Sequence, residues 1–227
     1  LQYYVHIAYY NGGIHYFNPE MDIFTHYSED VERSDCLSFF FIGKMIEDKR
    51  GDVWICTEGG GLNHLNRQTG KITHYLADGK PGSIPFNNLK CIAYDDKADR
   101  LYVGTHTRGL FCFDILIRQV VSHYQPESTL FSLAVRNDKL YFLSAQGMFM
   151  MELKTNAISR VLPKEETLSG SNFIIDSANN IWITKGTGLL RSNLDNPENK
   201  QFYKYGENGL SNLPVLCMAE YQDKNVY

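Results

Sequence analysis

The stretch "GDVWICTEGGGLNHLNRQTGKITHY", residues 51–75, decides the fold. Alone it reads equally as a glycine-rich phosphate cradle, a catalytic loop or a plain hairpin. Its recurrence decides between these. The same plan returns in "DRLYVGTHTRGLFCFDILIRQVVSHY" (99–124), "DKLYFLSAQGMFMMELKTNAISRVL" (138–162) and "NIWITKGTGLLRSNLDNPENKQFYKY" (180–205). The aromatic anchors Trp54, Tyr102, Tyr141 and Trp182 are spaced by 48, 39 and 41 residues, and the glycines Gly61, Gly109, Gly147 and Gly188 by 48, 38 and 41. An internal repeat outranks any single motif as evidence of architecture.

Partial copies flank the four. "GGIHYFNPEMDIFTHY" (12–27) repeats the second half of the plan and "LPVLCMAEYQDKNVY" (213–227) its first half. A further apolar run precedes each anchor: "FIGKMIEDKRG", "NLKCIAYDDKA", "LFSLAVRND" and "SNFIIDSAN". Each unit thus carries about four short runs rich in Ile, Val, Tyr, Phe and Trp, broken by Gly, Asp and Asn, which is the signature of antiparallel strands. Helix has little support. A sheet of this kind exposes an apolar face and needs a neighbour, so a period of about 40–45 residues points to propeller blades. The expected fold is all-β: a β-propeller of four-stranded antiparallel blades, about five present in whole or part, within units 1–27, 36–75, 88–124, 130–162, 171–205 and 213–227. The last of these is a candidate to complete the first.

Bulk composition agrees. At 227 residues the chain buries a core without staples, and 15 Tyr with 13 Phe tilt it toward strands. A net charge of −4 without a basic block argues against nucleic acid as a partner. Cys36, Cys56, Cys91, Cys112 and Cys217 are odd in number, widely spaced and free of C-x-x-C pairs, so they read as small buried hydrophobes rather than a disulfide framework. The run "LSFFFIG" (37–43) is too short to cross a bilayer. The opening "LQYYVHIAYY" already reads as strand, as expected of a segment cut from a longer polypeptide.

The block at 51–75 resembles the two-component regulator propeller repeat, D-G-x-L-W-I-G-T-x-x-G-G-L followed by TGK-F-x-x-Y. The matching residues are Asp48, Gly51, Trp54, Ile55, Thr57, Gly60, Gly61, Leu62, Thr69-Gly70-Lys71 and Tyr75. Leu101 to Thr105 with Gly109 and Leu110, and Ile181 to Thr184 with Gly188 and Leu189, match likewise, while "FLSAQG" replaces the glycine-threonine pair in the 138–162 unit. The resemblance implies the periplasmic sensor region of a Bacteroidetes hybrid two-component system, detecting oligosaccharide or polysaccharide fragments. It also implies seven blades per ring, a homodimeric full receptor, and a membrane anchor and kinase outside these residues. A closed five-bladed ring and an open arc both remain as alternatives.

No catalytic, metal or cofactor site is expected. "EGGG" (58–61) and "KGTG" (185–188) lack the phosphate-loop pattern and recur where turns need positive φ. His26, His74 and His123 occupy equivalent places and so spread across units instead of converging as ligands. Glu47, Asp48, Asp95, Asp96 and Asp176 fall at turns, where an aspartate bonds its own backbone, and sequence pairs no two of them as a glycosidase requires. The aromatic anchors read as core between sheets.

Ligand candidates come from turn positions whose residues vary between units: Glu58; His106, Thr107 and Arg108; Gln146; Lys185 and Thr187. Lys80, Asn87 and Asn88 join them from the connecting loop 76–88, which is expected on the same rim. The leading reading is a non-catalytic oligosaccharide sensor. The alternatives are a polysaccharide hydrolase or lyase, which needs two converging carboxylates, and a protein-interaction propeller, which needs an exposed apolar patch.

Overall fold

The computed structural model describes residues 5–9, 12–18, 22–30, 33, 35–124, 128–207, 209–220 and 224–227. It divides into two compact units, Leu1–Glu127 and Ser128–Tyr227.

The first unit holds three sheets. A three-stranded sheet comprises β1 (Val5–Tyr9), β2 (Gly13–Asn18) and β3 (Ile23–Tyr27). The second sheet has β4 (Ile42–Glu47), β5 (Val53–Thr57), β6 (Gly61–Leu65) and β7 (Ile72–Tyr75), and the third β8 (Leu89–Asp95), β9 (Arg100–Thr105), β10 (Leu110–Asp114) and β11 (Gln119–Tyr124). The second unit adds a sheet of β12 (Leu130–Arg136), β13 (Lys139–Ser144), β14 (Gly147–Glu152) and β15 (Ile158–Pro163). After one helical turn, α1 (Lys164–Thr167), comes a sheet of β16 (Asn172–Ile175), β17 (Asn180–Lys185), β18 (Gly188–Asn193) and β19 (Gln201–Lys204). Within these sheets the described strands pair antiparallel with their neighbours in sequence. The architecture is therefore all-β and propeller-like, built from repeated four-stranded sheets. The turn α1 departs from the expected plain loop at 163–170.

Every residue of β5 and β6 is buried, because sheets cover both faces. On one side Val53, Ile55, Leu65 and Ile72 pack with Ile14 and Leu37. On the other, Trp54, Cys56 and Leu62 meet Ile92, Leu101, Val103, Phe111 and Phe113 of the third sheet, with Ile84 of the connecting loop closing the cluster. In the second unit Tyr141, Leu143, Met148 and Leu162 pack on Phe173, Ile181, Ile183 and Leu190. Burial at this scale is the main favourable term in folding. Cys36, Cys56, Cys91 and Cys112 are buried and Cys217 is exposed; none of the five is in a disulfide with another described residue.

The recurring glycine has a single cause. A Cβ on Gly13, Gly61, Gly147 or Gly188 would sit 2.2, 2.4, 2.7 or 2.1 Å from the carbonyl oxygen of Tyr27, Tyr75, Leu162 or Tyr203 on the outermost strand. The threonine before it closes the hairpin. Thr57 Oγ1 donates to Gly61 O and accepts from Gly60 N, and Thr105 Oγ1 donates to Gly109 O and accepts from Arg108 N. Ser144 does the same with Gly147 and Gln146 in a turn one residue shorter. The altered "FLSAQG" therefore keeps the clamp with a different hydroxyl.

Candidate functional site

The acidic turn residues are engaged in structure. Asp48 accepts from the backbone N–H groups of Arg50 and Asp52 and from the Trp54 indole at 3.0 Å. Asp176 repeats this with Ala178, Asn180 and the Trp182 indole at 2.9 Å. Asp95 caps its turn through Lys97 N and Ala98 N. Glu47 pairs with Arg67 at 3.2 Å. These carboxylates answer local donors, and such bonds are the ordinary reason for aspartate at a turn.

The equivalent histidines are likewise engaged. His26 Nε2 lies 2.6 Å from Gly12 O and His123 Nε2 2.7 Å from Arg108 O, each reaching the carbonyl just before its hairpin glycine. His74 reaches Cys36 O instead, at 2.8 Å. Its usual acceptor, Gly60 O, already receives the Ser38 hydroxyl at 2.6 Å.

The variable turn residues divide into groups. In the first unit the β5–β6 turn, residues 87–88 and the β9–β10 turn run side by side. Asn87 O accepts from Gly59 N and Gly61 N, Glu58 bridges to Asn88, and Asn88 O accepts from His106 N. Glu58, Asn87, Asn88, His106, Thr107 and Arg108 therefore share one rim. Glu58 pairs with Lys90 at 2.8 Å, leaving both side chains about one-third exposed. His106, Thr107 and Arg108 are exposed, and the Arg108 guanidinium stands 5.9 Å over the Phe86 ring. Asn87 serves the scaffold, since its Oδ1 accepts Ala77 N at 2.7 Å. Asn88 Oδ1 is buried without a hydrogen-bond partner among the described residues.

Lys80 departs from the rim. Its loop runs back along β11, where Gly82 O accepts from Val120 N, and its ammonium pairs with Asp78 at 2.6 Å. That pair lowers the Asp78 carboxyl below its ordinary value and raises Lys80 above its own. Gln146, Lys185 and Thr187 belong to the second unit. Gln146 and Thr187 are exposed at the β13–β14 and β17–β18 turns, whereas Lys185 is tied to α1 by donation to Glu166 O at 2.7 Å and lies 5.8 Å from the Phe202 ring centre.

Sequence reasoning missed the aromatic part of the rim. Phe39, Phe40 and Phe41 are half-buried; the first pair is stacked with centroids 4.6 Å apart, and the second is tilted at 4.3 Å. They flank the β5–β6 turn: Glu58 N donates to Phe41 O, and a Cβ on Gly59 would lie 2.9 Å from the Phe39 ring. The available signal was three consecutive aromatics in "LSFFFIG", which exceeds what one face of a strand can bury. Aromatic faces beside a charged pair and exposed donors give a surface able to stack a flat ring and hydrogen-bond its edge.

No family model matches the chain. It is 24% identical over 230 residues to Histidine kinase P4 of Formosa agariphila, covering 92% of this chain and 16% of the kinase. It superposes on the extracellular domain of BT3049 of B. thetaiotaomicron, assigned to a hybrid two component system, with a TM-score of 0.79, 19% identity and coverage of 100% of this chain and 30% of the other. The extracellular domain of BT4673 of the same organism, assigned to a one component system, gives 0.75, 20%, 95% and 30%. The chain thus has the fold of these B. thetaiotaomicron extracellular domains and spans less than one-third of each of these relatives.

Proposed function

We propose that the chain is part of the ligand-sensing, extracytoplasmic region of a hybrid two-component regulator and that it binds an oligosaccharide without transforming it. The observation that carries the reading is the rim of the first unit, where Phe39, Phe40 and Phe86 stand beside Glu58, Lys90, His106 and Arg108. Sugars present apolar ring faces and hydroxyl edges, the two features such a surface matches. Likeness to extracellular domains and to a histidine kinase supports an extracytoplasmic setting with a kinase outside these residues; a periplasmic location, a homodimeric receptor and a membrane span complete the proposal.

On this reading the sheets are blades of a larger, seven-bladed propeller, with blade limits near 1–27, 36–75, 88–124, 130–162, 171–205 and 213–227. Gln146, Lys185 and Thr187 present the corresponding turns of the second unit. A hydrolytic role has less support, because Asp48, Asp95 and Asp176 are held by their own turns.

Isothermal calorimetry of the protein against a panel of neutral and acidic oligosaccharides tests this reading. One class should bind, and Phe39→Ala or Phe40→Ala should weaken it about tenfold, roughly the value of one stacked ring. Glu58→Gln should cost less, since its pair with Lys90 is partly solvated. Absence of binding across the panel, or binding indifferent to all three changes, would remove the rim from the proposal.

A further inference from the structure

A cleft of about 260 Å³ opens in the first unit between the loop after β7 and the start of β11, with His74, Tyr75, Lys80, Ser83, Arg118 and Gln119 in its wall. Several of its polar groups are engaged. His74 bonds Cys36 O, and the lining carboxylate, Asp78, is neutralised by Lys80.

Two groups are not. The Arg118 guanidinium has no carboxylate partner among the described residues; it answers Tyr75, whose hydroxyl pKa is raised by burial and drawn back by the charge and hydrogen bonding of Arg118. That hydroxyl is buried, and its proton has no acceptor among the described residues. The Tyr75 ring and the Arg118 backbone are both held in place. The Tyr75 ring packs edge-on to Phe113 at 4.9 Å and on Trp54 at 5.8 Å. Arg118 ends a turn clamped by Asp114 Oδ1, which accepts from Leu116 N and Ile117 N, and its backbone lies in the left-handed region at φ 57°. A guanidinium on a constrained backbone, next to a hydroxyl whose proton is unused among the described residues, supplies two donors and a net positive charge, the requirement for an oxyanion.

We propose that this cleft binds a compact oxyanion, a carboxylate or sulfate group, with Arg118 as its charge partner and Tyr75 as a second donor. The site is separate from the rim and does not depend on the rim reading. The anion is either free in solution or carried on a small sugar acid, and the cleft is large enough for one such ring.

Trp54 reports on the site through Tyr75. In a Trp182→Phe background, where it is the remaining tryptophan, its emission is followed while sodium sulfate, sodium glucuronate or glucose is added at constant ionic strength. Saturable change is expected with both anions and none with glucose. Arg118→Gln should weaken binding at least tenfold, as befits loss of a charged hydrogen-bond partner, and Tyr75→Phe several-fold, with far-ultraviolet dichroism unchanged in both. Phe39→Ala should leave it intact. Tighter binding of glucuronate than of sulfate assigns the anion to a sugar acid, and equal affinity assigns it to the free oxyanion. An equal response to glucose, or undiminished binding in Arg118→Gln, would overturn the proposal.

Discussion

The second and fifth sheets are built on one plan and surround their tryptophans differently. Trp54 and Trp182 each donate to an aspartate six residues earlier and stack on a tyrosine of the outermost strand, at 5.8 and 5.9 Å. The residue across the ladder differs. Trp54 faces His64, and Trp182 faces Arg191. The partner four residues after each turn aspartate changes with it: Asp52 binds His64 at 3.0 Å, and Asn180 accepts from Arg191 at 3.2 Å.

Burial explains the exchange. Trp54 is 1% exposed because Phe113 of the third sheet packs 5.6 Å from it. Desolvation there lowers the His64 pKa, with Asp52 opposing, so a neutral ring is the group the site tolerates. Trp182 is half-buried and carries the Arg191 guanidinium 5.4 Å over its ring, a cation that needs water nearby. Hairpin chemistry is thus set within a sheet, and burial is set by what the next sheet places against it.

The largest expected effect tests that division. Trp54→Ala should destabilise by about 3–5 kcal/mol, the usual range for a large buried aromatic. Trp182→Ala should cost less than half as much, both read from urea unfolding followed by circular dichroism. Equal losses would break the comparison. Glycine substitution should instead affect the two sheets alike. Gly61→Ala and Gly188→Ala both drive a methyl against a carbonyl, at 2.4 and 2.1 Å, and each should cost about 2–3 kcal/mol. Gly70→Ala, with nothing within 4 Å and φ +69°, should cost about 1 kcal/mol.

The smallest effect is a dependence on pH. Asp99, between the second and third sheets, is pushed up by burial and brought down further by Arg50, Tyr94 and Lys49, to about 2 from 3.8. A carboxyl lowered on folding stabilises fully above its unfolded value, and that contribution fades as pH falls from about 3.8 through about 2. Asp99→Asn should flatten the stability profile across that window, as measured by urea midpoints at successive pH values. An unchanged slope would show that acid sensitivity enters elsewhere.

The repeat was legible because its causes are local. A glycine forced by one carbonyl returns from hairpin to hairpin, and a hydroxyl clamps the turn in the second, third and fourth sheets. The spacing of aspartate and tryptophan, 48 to 54 and 176 to 182, also carried the indole bond, although the aspartates were read as turn residues alone. The rim was legible only in part. Glu58 and His106 stood out by varying, but Lys90 meets Glu58 across 32 residues, and no local pattern announces such a pair. "LSFFFIG" reads as an apolar run, and hydrophobicity does not distinguish a strand's core face from a half-exposed platform. Lys80 was assigned to the rim because chain order does not reveal that its loop doubles back.

The interior thiols bear on how the chain meets oxidants. Burial lifts Cys91 to about 12 and Cys112 to about 11, and the reactive species is the thiolate. At neutral pH the ionised fraction at these positions is on the order of one in ten thousand or less, and folding also walls them off from oxidants. Maleimide added to the native chain should therefore mark Cys217 alone, giving a single attachment point for a fluorophore.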